Sequence, residues 1–513
     1  MASAMLVALW LSPQFVNAQT SSQDTLAEKV EQLTEAMAKT QAQLEQSQSE
    51  LETMRRQLTD LKRLMAQGGP SAATPPEPSS AADSSLSGQT ETPETTAAAV
   101  RDLQDRVAVE ESQIATQDQA KIESVSKFPV KVTGLLLMNG FKNSGAVDTP
   151  ASPSVAIGGS GSAGVSVRQT ILGIEARGPH IFRASSFADL QVDFFGSPAT
   201  NSSTGSYPGY NVNYPLIRLR TVHAGLYWNR TQVYFALDRP IISPDTPTSL
   251  TATAVPALAW SGNLWTWNPQ AVLTQDFSRS GSSGFEMQGA LVDVADAPLT
   301  PAFTSPLTAL AGGPSSAEQS SEPGVEGRFA FFGPDRGDGH SHIGVGGYFA
   351  PHTSSLGRNF DSWASTLDVR VPLVAKLELS GSFYRGAALG GLGGGGYKDF
   401  AYKPNPATGG YFFRPLDDVG GWAQLKEKVD ERLQFNAAFG MDQVFASTLE
   451  HYYVSNGSMV QNLARNRTFT GNVIFSPSAY LLFSLEYRHL DSDPIEGGGN
   501  QSNIIGIGAG YKF

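Results

Sequence analysis

Residues 501 to 513 read QSNIIGIGAGYKF, and the stretch alternates almost without error: Ile505, Ile507, Ala509, Tyr511 and Phe513 fall on one face, Gly506, Gly508, Gly510 and Lys512 on the other. A strand repeats every two residues, so one side of a sheet is apolar and finishes on aromatic rings. Such a side suits hydrocarbon. A lone strand in lipid would leave its backbone groups without partners, and the sheet that contains it must therefore close on itself.

The rest of the chain permits a closed barrel and excludes a helical span. No run of about 18 to 20 apolar residues occurs; the longest, Met5 to Leu11, suits the apolar core of a secretory signal. Val16-Asn17-Ala18 before Gln19 offers small residues for cleavage, which predicts a signal peptide over 1–18, although no Lys or Arg precedes its core. The absence of cysteine removes disulfides, thiolate metal sites and a lipoprotein anchor together. With 52 Gly, 31 Pro and 10% aromatics in 513 residues, the profile is all-β and loop-rich. A net charge of -12 argues against a nucleic-acid partner, which would need a basic stripe.

The segment 23–66 carries heptads. Leu26, Val30, Leu33, Met37, Thr40, Leu44, Ser47, Leu51, Met54, Leu58, Leu61 and Met65 alternate spacings of four and three. Strict 3.5-residue spacing over about five to six heptads needs a partner helix to cover it, which makes a coiled coil the better reading than a single amphipathic helix. Polar Thr40 and Ser47 weaken that seam, and the mixture of Leu, Met and Val does not choose between dimer and trimer. Residues 67–96 are Gly, Pro, Ser, Thr and Ala for the most part, including Pro75-Pro76-Glu77-Pro78, and read as a disordered linker. A second helical segment, 97–126, holds Val100, Leu103, Val107 and Ile114 in register.

From 128 to 513 the period of two returns. In 479–490, Leu481, Phe483, Leu485 and Tyr487 alternate with Ser484, Glu486 and Arg488. An Arg or Lys costs about 2–4 kcal/mol at the middle of a bilayer, so the charged face must turn inward and the interior must be wet. Sixteen segments qualify as strands: 128–142, 164–178, 182–196, 214–228, 231–239, 268–278, 283–296, 323–333, 339–350, 361–371, 374–386, 419–428, 431–442, 463–476, 479–490 and 501–513. Their connections alternate tight and long, with Pro179-His180-Ile181 and Asn229-Arg230 tight and 197–213, 240–267 and 387–418 long. A soluble β-sandwich has no reason for that alternation or for so apolar a C-terminus. The fold class expected is therefore a closed antiparallel transmembrane β-barrel of about 16 strands, preceded by an α-helical coiled coil and a disordered linker.

Three passages resemble the DcaP-like outer-membrane porins: Pro215-Leu216-Ile217-Arg218-Leu219-Arg220; Thr248-Ser249-Leu250 through Pro256 and Ser261-Gly262-Asn263-Leu264-Trp265 to Asn268-Pro269-Gln270; and Asn466-Arg467 through Gly471-Asn472-Val473 to Leu485-Glu486-Tyr487-Arg488. The final apolar-aromatic strand also resembles the segment that outer-membrane assembly machinery reads. The resemblance covers about 128–513 and implies a homotrimeric, sixteen-stranded channel with an N-terminal coiled coil, taking up small anionic organic solutes. Where that family tends to show Gly-Gln after the fourth strand, this chain has Trp228-Asn229-Arg230-Thr231-Gln232, so the solute is not carried over.

Residue chemistry supplies candidates for the pore lining. Arg218 and Arg220, two apart, point to one face, and a ladder of guanidinium groups attracts carboxylates or phosphates. Arg168, Arg183, Arg328, Arg370 and Arg432 are further inward candidates. Against a solute role stand Asp189, Asp193, Glu286, Glu326, Asp368, Glu378 and Glu486, which share the lumen and would neutralise these arginines in structural networks. Loop 240–267, stiffened by Pro240, Pro244, Pro247 and Pro256 and bulky at Trp260, Trp265 and Trp267, is expected to fold inward as an eyelet, with Asp245 opposing the Arg218/Arg220 wall. The alternative puts its tryptophans in an interfacial aromatic belt.

Other chemistries find little support. His340-Ser341-His342 has two imidazoles at strand spacing and no third ligand in view, Arg336-Gly337-Asp338 reads as a turn, and Gly390 to Gly396 lacks a phosphate-loop context and reads as a loop tip. No catalytic, cofactor or metal site is expected. The expectation is a passive channel for small hydrophilic solutes in the outer membrane of a Gram-negative-type bacterium, with its stalk in the periplasm. The rival is a structural anchor whose coiled coil, about 65 Å long at 1.5 Å per residue, tethers the lipid bilayer to peptidoglycan.

Overall fold

The computed structural model describes residues 129–196, 216–277, 283–301, 313–335, 340–452 and 459–513. The expected signal peptide 1–18, coiled coil 23–66, linker 67–96 and helical segment 97–126 lie outside the described residues.

In chain order the strands are β1 (Val130–Val147), β2 (Ala156–Ser166), β3 (Ile171–Ile181), β4 (Ala184–Asp193), β5 (Arg218–Tyr227), β6 (Thr231–Asp238), β7 (Asn268–Asp276), β8 (Gly284–Val292), β9 (Gly324–Asp335), β10 (His340–Thr353), β11 (Asn359–Val374), β12 (Leu377–Ala387), β13 (Phe400–Pro404), β14 (Tyr411–Pro415), β15 (Asp417–Lys428), β16 (Leu433–Val444), β17 (Leu463–Phe475), β18 (Leu481–Pro494) and β19 (Asn500–Lys512). All but β13 and β14 pair antiparallel into one sheet. Its two ends meet where β1 lies against β19, Leu137 opposite Gly510, and so every edge is used. Along its other edge β1 takes β2 and then β3, Asn139 opposite Ser166 and Leu135 opposite Ile171. These two are halves of one stave interrupted at Val167–Thr170, and the 17-stranded sheet is thus a barrel of sixteen staves.

The faint segments 231–239, 268–278 and 463–476 all become staves, as β6, β7 and β17. The tight connection expected at Pro179-His180-Ile181 instead falls at Phe182-Arg183, where φ is 50° and 66°. Two left-handed central residues match the twist of a two-residue hairpin, a role that Asn-Gly usually fills and that Phe-Arg hides from inspection. The long connection 387–418 contains a hairpin of its own, β13–β14, which alternation did not reveal.

The two faces of the wall differ in the sense that lipid requires. Outward positions leave Phe285, Phe329, Phe331, Phe383, Phe439, Phe469, Leu485, Ile505 and Ile507 exposed, while the alternate inward positions bury Asn436, Thr468, Asn472, Ser484, Glu486 and Arg488. A water-soluble protein would do the reverse. Outward-facing charge gathers near the long-loop ends of β17 and β18, where Arg465 and Arg467 pair with Asp493 and Asp491 at 2.7 and 2.5 Å. Connections at the opposite end are short throughout. At the long-loop end, 354–358 and 495–499 are short as well, and the others are long.

Candidate functional site

Loop 240–267 enters the barrel from the end of β6 and is stitched to almost the whole inner wall. Glu326 on β9 accepts the Ile241 amide at 2.8 Å, and Arg370 on β11 binds Asp245. Farther round, Gln424 on β15 accepts from the Thr248 amide at 2.6 Å, and Asn472 on β17 donates to the Thr248 carbonyl at 2.8 Å. Glu486 on β18 takes Ser249 Oγ at 2.5 Å and Thr251 Oγ1 at 2.8 Å. Gln169, in the gap between β2 and β3, accepts the amides of Thr253 and Ala254 at 2.8 and 3.1 Å and donates to the Thr251 carbonyl at 2.9 Å. Buried backbone groups far from any ladder are thereby satisfied by side chains.

The inner face of β19 makes room for this crossing. A Cβ on Gly506 would sit 3.1 Å from Thr251, and one on Gly508 3.2 Å from Leu250. The glycine face that first marked the last strand is thus where a loop approaches the wall. The expected inward fold of 240–267 is what the structure shows, and its tryptophans belong to no interfacial belt: Trp260 stacks on Tyr397 at 4.0 Å, and Trp265 meets Trp260 and Trp267 edge-on.

Arg218 and Arg220 do share one inward site. Asp193 on β4 receives Arg218 Nε at 3.1 Å and Arg220 Nη1 at 3.2 Å, and the same guanidinium groups donate to the carbonyls of Ala254 and Thr253, each at 2.6 Å. Trp267 lies 4.9 Å from both cations, close enough for cation–π attraction. The pair is less an open ladder than a clamp on the loop. Two cations against one carboxylate still leave an excess of positive charge on this wall.

Asp245 does not oppose that clamp. It meets the other side of the barrel, where Arg370 binds it and His342 Nε2 lies 3.1 Å away. His342 also reaches Asp368 at 3.2 Å, and Arg328 joins Asp368 at 2.7 Å, Gln288 at 3.1 Å and Glu286 at 3.4 Å. Arg328 and Arg370 therefore stand inside as expected, within a mixed-charge network. Arg168 is buried and donates to the carbonyls of Phe194 and Gly196 at 3.1 and 2.6 Å, while Phe195 packs 4.6 Å from its guanidinium. Arg183 and Arg432 are corrections, since each falls in an exposed turn between strands and not on the inner wall. Among the acids named as neutralisers, Glu378 pairs with Lys426 at 3.5 Å and Glu486 with Arg488 at 2.6 Å.

Several interior groups escaped the sequence reading. His223 bridges Asp189 at 2.8 Å and Asp238 at 3.1 Å. A β-bulge between Gln191 and Val192 slips the β4–β5 register there, so that Arg218, Arg220 and His223 all face inward although their spacing is two and then three. The run Gly390 to Gly396 is not a loop tip. It is buried, with the Leu392 carbonyl accepting the Trp265 amide at 3.0 Å and the Gly391 carbonyl accepting Thr266 Oγ1 at 2.7 Å. On the short-turn side of the loop, Thr133, Glu175, Arg177, Asp189, Gln191 and His223, together with Ile174, Phe187 and Leu190, line an open recess of about 600 Å³.

The barrel shares its fold with an outer-membrane channel. The crystal structure of the outer membrane channel DcaP of Acinetobacter baumannii matches with a TM-score of 0.51 at 12% sequence identity, covering 75% of this chain and 97% of that one. That likeness is one of fold, and it agrees with the resemblance drawn from the three sequence passages. An anion-selective porin from Comamonas acidovorans matches at TM-score 0.45 and 11% identity, over 75% of this chain and 100% of its own. OmpF of Salmonella typhi in complex with daunomycin follows at 0.43 and 10%, over 75% and 97%. No protein-family model and no curated protein matches the chain.

Proposed function

We propose that the chain is an outer-membrane porin, a passive diffusion channel for small hydrophilic solutes. The observation that carries this reading is the fitted inward loop: a barrel serving as an anchor has no use for a long segment threaded through a polar interior and fastened strut by strut. A narrowed polar passage sorts solutes by size and by the groups that line it. The excess of guanidinium at Arg218 and Arg220 over Asp193 supports a preference for anionic organic molecules. The heptads of 23–66 and the resemblance to trimeric porins support a homotrimer with a periplasmic stalk, which cross-linking in the membrane tests separately.

Conductance of the purified full-length protein in planar bilayers tests the reading. Discrete open steps are expected, with a reversal potential in asymmetric KCl on the anion-selective side. The double variant Arg218→Ala with Arg220→Ala should move that potential towards cations; an unchanged ratio would retire the arginine assignment. A silent barrel that changes cell-wall association when residues 19–126 are removed would favour the tether.

A further inference from the structure

The inward arginines at the loop are all engaged by the protein itself, and cations with no such partner stand lower on the wall. On β3, Ile174 faces lipid, so Gly173, Glu175 and Arg177 turn into the barrel. β1 sets Lys131 directly opposite Glu175 on that inner face, and β4 sets Asp189 opposite it from the other side. Lys131, Glu175 and Arg177 are all exposed, and among the described residues no hydrogen bond or ion pair engages their side chains. Glu175 and Arg177 line the recess on the short-turn side of the loop, and Lys131 borders it across the ladder.

The surroundings of Glu175 are unusual in two ways. Two carboxylates, Glu175 and Asp189, stand directly opposite each other, a placement that raises the energy of a sheet. Asp189 is matched by His223 at 2.8 Å, whereas Glu175 accepts from no protein donor. Arg177 follows Glu175 by two residues, about 6.6 Å along the strand, and yet does not close onto it. The recess is also open at its floor. Gly173 lies between Thr133 and Gln191 with no side chain to fill the space, and a Cβ there would sit 2.6 Å from Thr133 Oγ1. Phe187, opposite Arg177 and 6.3 Å from the Tyr234 ring, gives one side an apolar face. At about 600 Å³, with a few convergent charges, the space suits a small organic molecule.

We propose that this recess binds acidic amino acids on their way through the barrel. Arg177 and Lys131 take the two carboxylates, and Glu175, beside both, takes the ammonium. The guanidinium fork matches a carboxylate edge to edge. Charges are complementary one for one, since the wall offers two cations and one carboxylate and the solute one ammonium and two carboxylates. A plain dicarboxylate would be repelled by Glu175 and leave it unmatched. The inference rests on the channel reading and narrows the anionic solute proposed there: the Arg218/Arg220 clamp sets the field at the loop, and the recess sets which anion is held.

Solute-induced interruptions of single-channel current through the full-length protein test it. L-glutamate is compared with glutarate, which has the same carbon chain and both carboxylates but no ammonium. Glutamate should interrupt the wild-type current at about tenfold lower concentration, the effect of one charge-assisted hydrogen bond. Glu175→Gln should abolish that preference, and Arg177→Gln should weaken both solutes about tenfold, with Arg177→Lys recovering part of the loss. A merely structural role for Glu175 would shift both solutes alike and keep their ratio. Equal interruption by the two solutes in the wild type, a ratio that survives Glu175→Gln, or a conductance that neither solute interrupts overturns the recess and leaves the channel standing. The wild-type comparison decides even where a variant fails to fold. A silent wild-type protein overturns the channel reading and this inference with it.

Discussion

Two segments cross the interior, and they are held in different ways. Loop 240–267 is fastened to the wall: β5, β9, β11, β15, β17 and β18 each contribute a side chain to it. The segment 388–399 is held by apolar packing as well as by hydrogen bonds: Leu389 and Leu392 are buried among Val272, Val292, Tyr348 and Tyr384 of the wall, and Asp418 and Asp442 take the Gly395 and Gly396 amides. A strand of a closed barrel cannot move without breaking ladders on both sides, so what it holds is as rigid as the wall. The contrast separates a polar fastening from a largely apolar one, and it can be broken at the level of single residues.

The largest effect is expected at Glu486. It serves Ser249, Thr251, Asn472 and Arg488 together, and all of these sit inside the wall. Glu486→Ala strands a buried arginine and frees the middle of the loop, a loss of about 3–5 kcal/mol for a broken buried pair. A lowered unfolding temperature with a wider, noisier conductance would be the signature; unaltered channel size would show that the loop is held elsewhere. Gln169→Ala comes next, since one amide side chain satisfies Thr251, Thr253, Ala254 and the Ala151 carbonyl. Leaving buried backbone groups unpaired should cost about 1–3 kcal/mol, read as a drop in thermal midpoint. If the loop were loosely placed, water would replace these bonds and the midpoint would hardly move.

The same contrast explains what the sequence disclosed. All sixteen candidate segments correspond to staves, because every strand has lipid on one side and a polar interior on the other, and that asymmetry is written locally as a period of two. The inward course of 240–267 was legible from its prolines and tryptophans. Its partners were not: which wall Asp245 meets depends on where a crossing segment lands, and no local pattern encodes that. His223 was hidden by the bulge that changes the phase of β5, and Arg183 by a turn built from Phe and Arg where glycine would have announced it. Gly390 to Gly396 looked like a tip because glycine tracts usually are. Here a missing Cβ permits close approach, as at Gly391, not exposure.

A smaller perturbation sharpens the comparison from the wall side. Gly506→Ala places a methyl group 3.1 Å from Thr251, tighter than ordinary contact, so either the loop or the strand must give by a few tenths of an ångström. Held from six strands, the loop should resist, and the cost is expected near 1 kcal/mol, the low end of overpacking. At Gly391 in the other segment a Cβ would lie 2.3 Å from the Ala295 carbonyl, so Gly391→Ala should cost more than Gly506→Ala, read as the larger drop in thermal midpoint. Equal responses at the two positions would erase the distinction between them.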